Sequence, residues 1–283
     1  MYYLTVLKKW VYQLLMGIGS SKYACERKYG WKKELFDHND RYHQFENATK
    51  EFVDLRGICP KVYDQGSLGS CTANAIAAAY EVTETEHLRK QDIESNTVKK
   101  YDFTPSRLFI YYNERVKEDT ILSDSGAMIR DGIQSIHTLG VCPETMWPYD
   151  INKFTYKPST YCYKNAEKHT TTDYKKVKQT LNDLKACLEQ NIPFVFGFSV
   201  YESFESEHVA KTGEMPLPKV GEKLLGGHAV MAVGYDDNLQ YFIIRNSWGE
   251  NWGIQGYFHM PYEFILNPNY ASDFWTVIKS TDS

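Results

Sequence analysis

The chain has 283 residues, a formal net charge of -4 and a hydrophobic fraction of 42%, so it is long enough for one large domain or two lobes around a packed core. Lysine and arginine are scattered along it, which argues against nucleic-acid binding. No apolar run reaches the length of a membrane span, and none is predicted.

The first 50 residues differ in composition from the rest. They are rich in Lys, Tyr, Asp and His and lack a sustained apolar period, so residues 1–50 are predicted to be an extension laid over a domain formed by residues 51–283. Met1–Lys9 carries two lysines, and Trp10–Gly19 is mildly apolar but interrupted by Gln13. This stretch is predicted to be either a signal peptide or an amphipathic helix packed on the body. The lack of a clear cleavage site argues against the signal peptide.

Four helices are predicted in the N-terminal half and the middle of the domain, where apolar residues recur every three or four positions. The first is Thr72–His87, and the second is capped by Thr104 and ends near Lys117. The third is capped by Asp124 or Ser125 and ends at Gly140. The fourth starts at Asp173 and has Leu181, Leu184 and Leu188 on its apolar face.

The C-terminal half reads as strands. They are Pro193–Val200, His228–Tyr235, Gln240–Arg245, Gly256–Met260 and Phe274–Lys279. Asp236, Asp237 and Asn238 separate the second strand from the third and indicate a hairpin. Helices followed by antiparallel strands predict an α+β architecture, with a helical lobe beside a β lobe and a cleft between them suited to an extended ligand.

A cysteine opens the first helix. There the positive end of the helix dipole favours the Cys71 thiolate, which is the reactive form of the side chain. Gln65 lies six residues earlier, and its amide N–H is suited to stabilise an oxyanion, a contribution whose loss typically costs about 10²–10³ in rate. The alternatives are a small core cysteine and a loop glutamine in a turn.

A histidine and an asparagine complete the set. His228 follows Gly226 and Gly227, which permit close approach of another chain, and Asn246 ends the next strand of the hairpin. An asparagine oxygen that accepts the imidazole N–H fixes its tautomer, and Trp248 is placed to cover that bond. Cys, His, Asn and Gln are the parts of a cysteine nucleophile, its base, its orienting group and its oxyanion donor, and Asn suits a resting thiolate–imidazolium pair. A structural histidine and a turn asparagine are the alternatives.

The six cysteines match no zinc-ligand spacing, so neither a metal nor a cofactor is expected. Cys142–Cys162 and Cys25–Cys59 are candidate disulfides, and Cys187 is predicted to be a core thiol.

These motifs resemble those of the papain-like cysteine proteases. The stretch Gln65–Cys71 matches the motif around the family's nucleophile, His228–Val230 its histidine motif, and Asn246–Gly249 its Asn-Ser-Trp-Gly motif. The resemblance runs from about Phe52 to about Ile278, and the Gly-Gly-His form is similar to cathepsin B. It implies a two-lobe fold with a helical N-terminal lobe, an antiparallel β-barrel-like C-terminal lobe and the active-site cleft between them.

The resemblance also implies an activity: an endopeptidase with a polypeptide substrate, a Cys71 acyl-enzyme and His228 as acid and base. Ser125 and Gly126 stand where the family binds the substrate backbone, with Gly126 as the expected pairing residue, and Gly227 and Trp248 complete the expected substrate-binding residues. The alternatives are another acyl-transfer enzyme, such as a transamidase or deamidase, and a catalytically silent binding module.

Family members are often made as zymogens, so residues 1–50 are predicted to act as a propeptide that blocks the cleft until it is cut near residue 50. Leu68 stands where the family usually has a disulfide cysteine, which permits a reducing compartment such as the cytoplasm or a virion. A lysosomal or secreted location stays open as the alternative.

Overall fold

The computed structural model of the chain describes residues 27–95, 103–171 and 173–278. Cys25 and the stretch interpreted as a signal peptide or helix lie outside these residues. Across the described ranges, no helix combines the length and the apolar character needed to cross a bilayer.

Helices dominate the first half of the domain, as predicted, and further helices follow in the second half. They are α1 (Cys71–Ser95), α2 (Arg107–Lys117), α3 (Ile129–Leu139), α4 (Thr160–Ala166), α5 (Leu181–Glu189), α6 (Glu207–Thr212) and α7 (Tyr262–Ile265). Short 3-10 helices lie at Arg56–Ile58, Ile151–Lys153 and Glu202–Glu205.

The predicted caps of two helices are wrong. Ser106 rather than Thr104 caps α2, because its hydroxyl accepts the Phe109 N–H. The residue before α3 is Met128, which makes no side-chain cap. Asp124 instead accepts the N–H of Gly69 in the loop before α1, at 3.0 Å.

The predicted start of the fourth helix is also wrong. Asp173–Lys176 forms a strand, β2, that pairs with residues 275–278, and the helix begins only after the N-cap Thr180. The cross-strand partner therefore overrides the local helical spacing.

The strands form one antiparallel sheet. They are β1 (Phe52–Asp54), β2 (Asp173–Lys176), β3 (Phe194–Tyr201), β4 (Leu224–Asp236), β5 (Tyr241–Arg245), β6 (Tyr257–Pro261) and β7 (Ala271–Ile278). Their order is β2-β7-β3-β4-β5-β6, and β1, which no sequence pattern indicated, pairs with β4. The sheet is open rather than barrel-like, because β2 and β6 end the path without pairing with each other.

The middle of β4 positions the site. This strand pairs with β1, β3 and β5 and packs against α1. Its His228 is fully buried opposite Phe198 of β3, and the two rings lie 5.7 Å apart. The start of α1 and the centre of β4 therefore meet where the helices contact the sheet.

Phe198 also packs against the rings of Phe204, Phe258 and Phe264. We expect Phe198→Ala to lower the free energy of unfolding by about 3–5 kcal/mol, because it leaves a cavity in this cluster. Leu122→Ala, at a side chain that is 87% exposed, should change it by less than about 0.5 kcal/mol. Urea denaturation measures both, and equal effects would contradict the assignment.

Candidate active site

Cys71 is the first residue of α1 and is fully buried. The preceding Ser70 carbonyl accepts the Asn74 N–H at 3.0 Å, which is the first bond of the helix. The Cys71 N–H therefore belongs to the unpaired donors at the helix start and is available to a ligand.

The loop before α1 is paired with the chain that follows β5. The Gln65 N–H donates to Ser247 O and the Gly249 N–H donates to Tyr63 O, each at 2.9 Å. The Ser247 hydroxyl donates to Gln65 Oε1 at 2.6 Å, and Gln65 Nε2 donates to Leu68 O at 3.0 Å. These bonds orient the amide and use one of its two N–H groups, so the other remains for a ligand.

His228 and Asn246 form the expected hydrogen bond. The His228 Nε2–Asn246 Oδ1 distance is 2.8 Å, and the Trp248 ring stacks on the imidazole with centroids 4.9 Å apart. Because an amide oxygen only accepts, this bond assigns the proton to Nε2 in the neutral imidazole. Nδ1 is buried and has no hydrogen-bond partner among the described residues, so it is the nitrogen available to take a proton.

Burial acts against the charged forms of both Cys71 and His228. It raises the pKa of the Cys71 thiol to about 11, although backbone hydrogen bonds from Ala229 and Gly30 act in the opposite direction. It also lowers the pKa of His228 to about 4, against the hydrogen bond to Asn246. In the covered cleft, burial therefore acts against both charged members of the thiolate–imidazolium pair expected from the residue types.

Residues 27–32, which we call the cover segment, run through the cleft over these groups. Three backbone hydrogen bonds hold it: Trp31 N–H to Gly227 O at 2.9 Å, Ala127 N–H to Gly30 O at 2.7 Å and Lys32 N–H to Ala127 O at 3.0 Å. The backbone pairing predicted at Gly126 is thus made by its neighbour Ala127 for this occupant. The cover segment packs on both residues: the Gly30 backbone forms a hydrogen bond to the Cys71 thiol, and the Tyr29 ring lies 6.4 Å from the His228 ring.

Glycines allow the cover segment to reach the cleft floor. A Cβ on Gly30 would lie 1.8 Å from the carbonyl oxygen of Gly69, and a Cβ on Gly126 would lie 2.0 Å from the Gly30 oxygen. A Cβ on Gly227 would meet the Trp31 ring. Backbone approaches backbone here at a distance that admits no side chain.

The four predicted substrate-binding residues all contact the cover segment. Ser125 Oγ lies 3.3 Å from Lys32 Nζ, Gly126 lies against Gly30, Gly227 accepts the Trp31 N–H, and the Arg27 guanidinium lies 3.9 Å from the centroid of the Trp248 ring.

Residues 33–50, the anchor segment, bind the body of the domain beyond the cleft. The buried Glu34 carboxylate accepts the Arg130 N–H at 2.7 Å and the Trp275 Nε1–H at 2.9 Å. The Arg130 guanidinium and the Lys176 ammonium each lie 3.4 Å from it. Burial, with the nearby Asp273 carboxylate, raises the pKa of Glu34 to about 7 despite these two cations.

The rest of the anchor segment is held at separate points. Asp40 pairs with both Arg130 and Lys176, at 2.6 and 2.9 Å. Residues 41–43 pair with Lys176 at the edge of the sheet. Near its end, the Glu189 carboxylate accepts the N–H groups of residues 49 and 50 at 2.8 and 2.7 Å.

Two residues that the sequence analysis missed support the nucleophile loop. The Tyr149 hydroxyl donates to Gln65 O at 3.0 Å, and Arg107 stacks on Tyr149 at 3.9 Å while pairing with Glu144 at 2.6 Å. No motif marked Arg107, which reads as an ordinary helix residue. Tyr149 follows Trp147 and Pro148, and an aromatic-rich turn was the only available signal.

The cysteines other than Cys71 are free thiols in the described part of the chain. The candidate pair Cys142 and Cys162 is reduced, although the two thiols are close enough to interact. Cys187 is fully buried, in agreement with the predicted core thiol.

Comparison with known proteins extends these observations. A family model described as papain family cysteine protease matches residues 49–269. The chain is 42% identical over 287 aligned residues to an uncharacterized peptidase C1-like protein of Acanthamoeba polyphaga mimivirus, covering 92% of this chain and 89% of that protein.

Solved structures agree. Xylellain, a cysteine protease from Xylella fastidiosa, superposes with a TM-score of 0.79 at 45% identity, covering 89% of this chain and 96% of that one. Digestive procathepsin L 3 of the Tenebrio molitor larval midgut superposes with a TM-score of 0.61 at 18% identity, covering 85% and 75% of the two chains, which is a likeness of fold.

The Glu34 cluster predicts a pH dependence of stability. Because the pKa of Glu34 is raised from 4.5 to about 7, the folded chain holds a proton that the unfolded chain releases. The contribution of the Glu34 proton to the free energy of unfolding is fully present below 4.5, the pKa in the unfolded chain. It is lost as the pH rises through about 7, the pKa in the folded chain. We expect the free energy of unfolding to fall between about pH 5 and about pH 8 by more in the native chain than in Glu34→Gln. Parallel pH curves in urea denaturation would contradict this.

Proposed function

The chain belongs to the papain family of cysteine proteases, and on that premise we propose that it is an endopeptidase made as a zymogen. The observation that supports this most directly is the junction of α1 with β4. There a helix-opening thiol, an oriented imidazole and an oriented amide lie at the bottom of a cleft that already holds an extended polypeptide.

In the proposed acylation step, His228 Nδ1 takes the proton of the Cys71 thiol as the substrate binds. The thiolate attacks the carbonyl carbon of the scissile bond, and the carbonyl oxygen becomes an oxyanion. The Gln65 Nε2–H and the Cys71 N–H donate to that oxygen. His228 then gives its proton to the leaving nitrogen, the C–N bond breaks, and a thioester on Cys71 remains.

Deacylation uses the same groups with water as the nucleophile. His228 Nδ1 takes a proton from the water, and the hydroxide adds to the thioester carbonyl. The Cys71 sulfur leaves as a thiolate, and the product departs as a carboxylic acid. Asn246 keeps the ring oriented throughout by accepting the Nε2–H.

The zymogen proposal follows from the position of residues 27–50. The cover segment occupies the cleft and packs over Cys71 and His228, which are fully buried, and burial is the cause of the raised thiol pKa and the lowered imidazole pKa. The family match begins at residue 49, which supports a boundary near residue 50 between this segment and the protease domain. Removal of the cover segment would return water to both groups and restore the proton transfer.

Gly30→Ala in the full-length chain is the sharpest test of this arrangement. The added methyl group would lie 1.8 Å from the Gly69 carbonyl oxygen, so the cover segment can no longer bind in the cleft in this position. We expect hydrolysis of an unstructured polypeptide to rise by at least about 10²-fold over the native chain, a change followed by mass spectrometry of the products.

Gly57→Ala is the matched control, because a Cβ at Gly57 meets nothing within 4 Å. It should leave the low activity of the native chain unchanged. Equal rates for native, Gly30→Ala and Gly57→Ala chains would overturn the zymogen proposal. Transfer of the acyl group to an added amine, with no hydrolysis, would favour the transamidase alternative.

Alkylation identifies the nucleophile separately. An epoxide that reacts with thiolates should label Cys71 rapidly in Gly30→Ala and slowly in the native chain, where the cover segment packs over the thiol and burial raises its pKa. Peptide mass spectrometry locates the adduct. Adducts spread over the other cysteines, with Cys71 unlabelled in Gly30→Ala, would remove Cys71 from its proposed role.

A further inference from the structure

We propose that Glu205 is a specificity-determining residue that selects a lysine or arginine on the leaving-group side of the scissile bond. The inference rests on the proposed peptidase function. It concerns which polypeptides the cleft accepts once the cover segment has left.

The charges of the cover segment match those of the cleft. Its residues alternate between the two walls, as expected for an extended chain. Each of its cations meets an acid: Arg27 lies 2.8 Å from Glu205, Lys28 lies 3.0 Å from Asp124, and Lys32 lies 2.5 Å from Glu118. The cleft is therefore lined with carboxylates that are neutralised by a basic occupant.

Two of the three acids keep partners in the domain when the occupant leaves. Asp124 accepts the N–H of Gly69 at 3.0 Å and the Tyr111 hydroxyl at 2.6 Å, and Glu118 accepts the N–H of Met128 at 2.7 Å. These bonds give both carboxylates a structural role in holding the loops of the helical lobe.

Glu205 differs from them in this respect. One of its carboxylate oxygens accepts from Arg27 Nη1 and the other from the Tyr29 hydroxyl, and both donors belong to the cover segment. Within the described ranges, its side chain makes no hydrogen bond or ion pair with the body of the domain. The Glu205 side chain is 26% exposed with the cover segment bound, and departure of that segment leaves both carboxylate oxygens open to an incoming cation.

The surroundings of Glu205 are rigid and suited to a cation. It ends the 3-10 helix Glu202–Glu205, whose buried Phe204 packs on Trp248 with ring centroids 5.6 Å apart. The Arg27 guanidinium lies between the Glu205 carboxylate and the face of Trp248, 3.9 Å from the ring centroid. A carboxylate and an aromatic face together bind a cationic side chain more selectively than either does alone.

The proposed proton transfer by His228 indicates on which side of the scissile bond Glu205 acts. His228 gives its proton to the leaving nitrogen, so the leaving peptide extends along the wall that carries His228, Trp248 and Glu205. Arg27 is three residues from Gly30, the residue of the cover segment beside Cys71. We therefore expect the selected cation within about three residues of the scissile bond on that side.

The test uses the full-length Gly30→Ala chain and peptides that differ only in carrying lysine, glutamine or glutamate at the first three leaving-group positions. The readout is the ratio of kcat/KM for each lysine peptide to that for its glutamine counterpart. We expect a ratio of roughly ten at one of these positions, falling to near one in Glu205→Gln. Glu205→Lys should invert the preference toward the glutamate peptide, which a misfolded variant would not do.

Glu202→Gln is the matched control, since it removes the same charge from the same short helix at an exposed side chain outside the contacts with the cover segment. It should keep the lysine preference. A ratio near one in Gly30→Ala itself, or a preference that survives Glu205→Gln, would overturn the inference while leaving the peptidase intact. Failure to hydrolyse any of the peptides would instead count against the proposed function on which the inference rests.

Discussion

The site depends on the backbone pairing between residues 63–65 and residues 247–249. Cys71, the proposed nucleophile, lies on a helix, and His228, its proposed base, lies on a sheet 157 positions further along the chain. The pairing joins the loop that leads to α1 to the chain that carries Asn246, so that the thiol, the amide and the imidazole share one frame. Arg107 and Tyr149 brace the same loop from the other side. Each part of the site is thus oriented by hydrogen bonds outside the reacting groups, which is how preorganised sites hold their geometry.

Burial in this cleft favours the packing of the cover segment but disfavours the charged forms of Cys71 and His228. Packing of the cover segment against Gly69, Gly126 and Gly227 satisfies its backbone and removes apolar surface from water. The same desolvation disfavours charge on both Cys71 and His228. The structure therefore describes a state in which the cleft is occupied and the charged forms of the proposed catalytic pair are disfavoured.

The four proposed catalytic residues could be predicted from the sequence because each lies in a short motif that can be recognised from its neighbouring residues alone. The motif at Gln65–Cys71 combines a glycine loop with a helix start, and His228 and Asn246 lie on strands joined by a recognisable hairpin. Features that depend on distant partners were not predictable. Asp173–Lys176 is a strand only because β7, about a hundred residues later, pairs with it. The open edge of the sheet is likewise a property of which strands meet.

The contacts of residues 27–50 also depend on distant partners and were not predictable from the sequence. Glu34 and Asp40 close a buried cluster with Arg130 and Lys176, which lie far along the chain, so no local pattern marks these contacts. Asp124 illustrates the limit most simply. Its position before a helix suggested a cap, and only the folded loop reveals that it holds Gly69 instead.

The anchor segment makes the cover segment a tethered ligand. Because Glu34 is fixed only two residues beyond Lys32, the cover segment stays near the cleft even when it is unbound. A short tether of this kind sets a local concentration on the order of millimolar, so contacts too weak to inhibit as a free peptide suffice to fill the cleft. Severing the chain between the two segments would abolish that advantage without changing a single contact. The proposed inhibition would then be lost, because the severed peptide dilutes into the bulk solution.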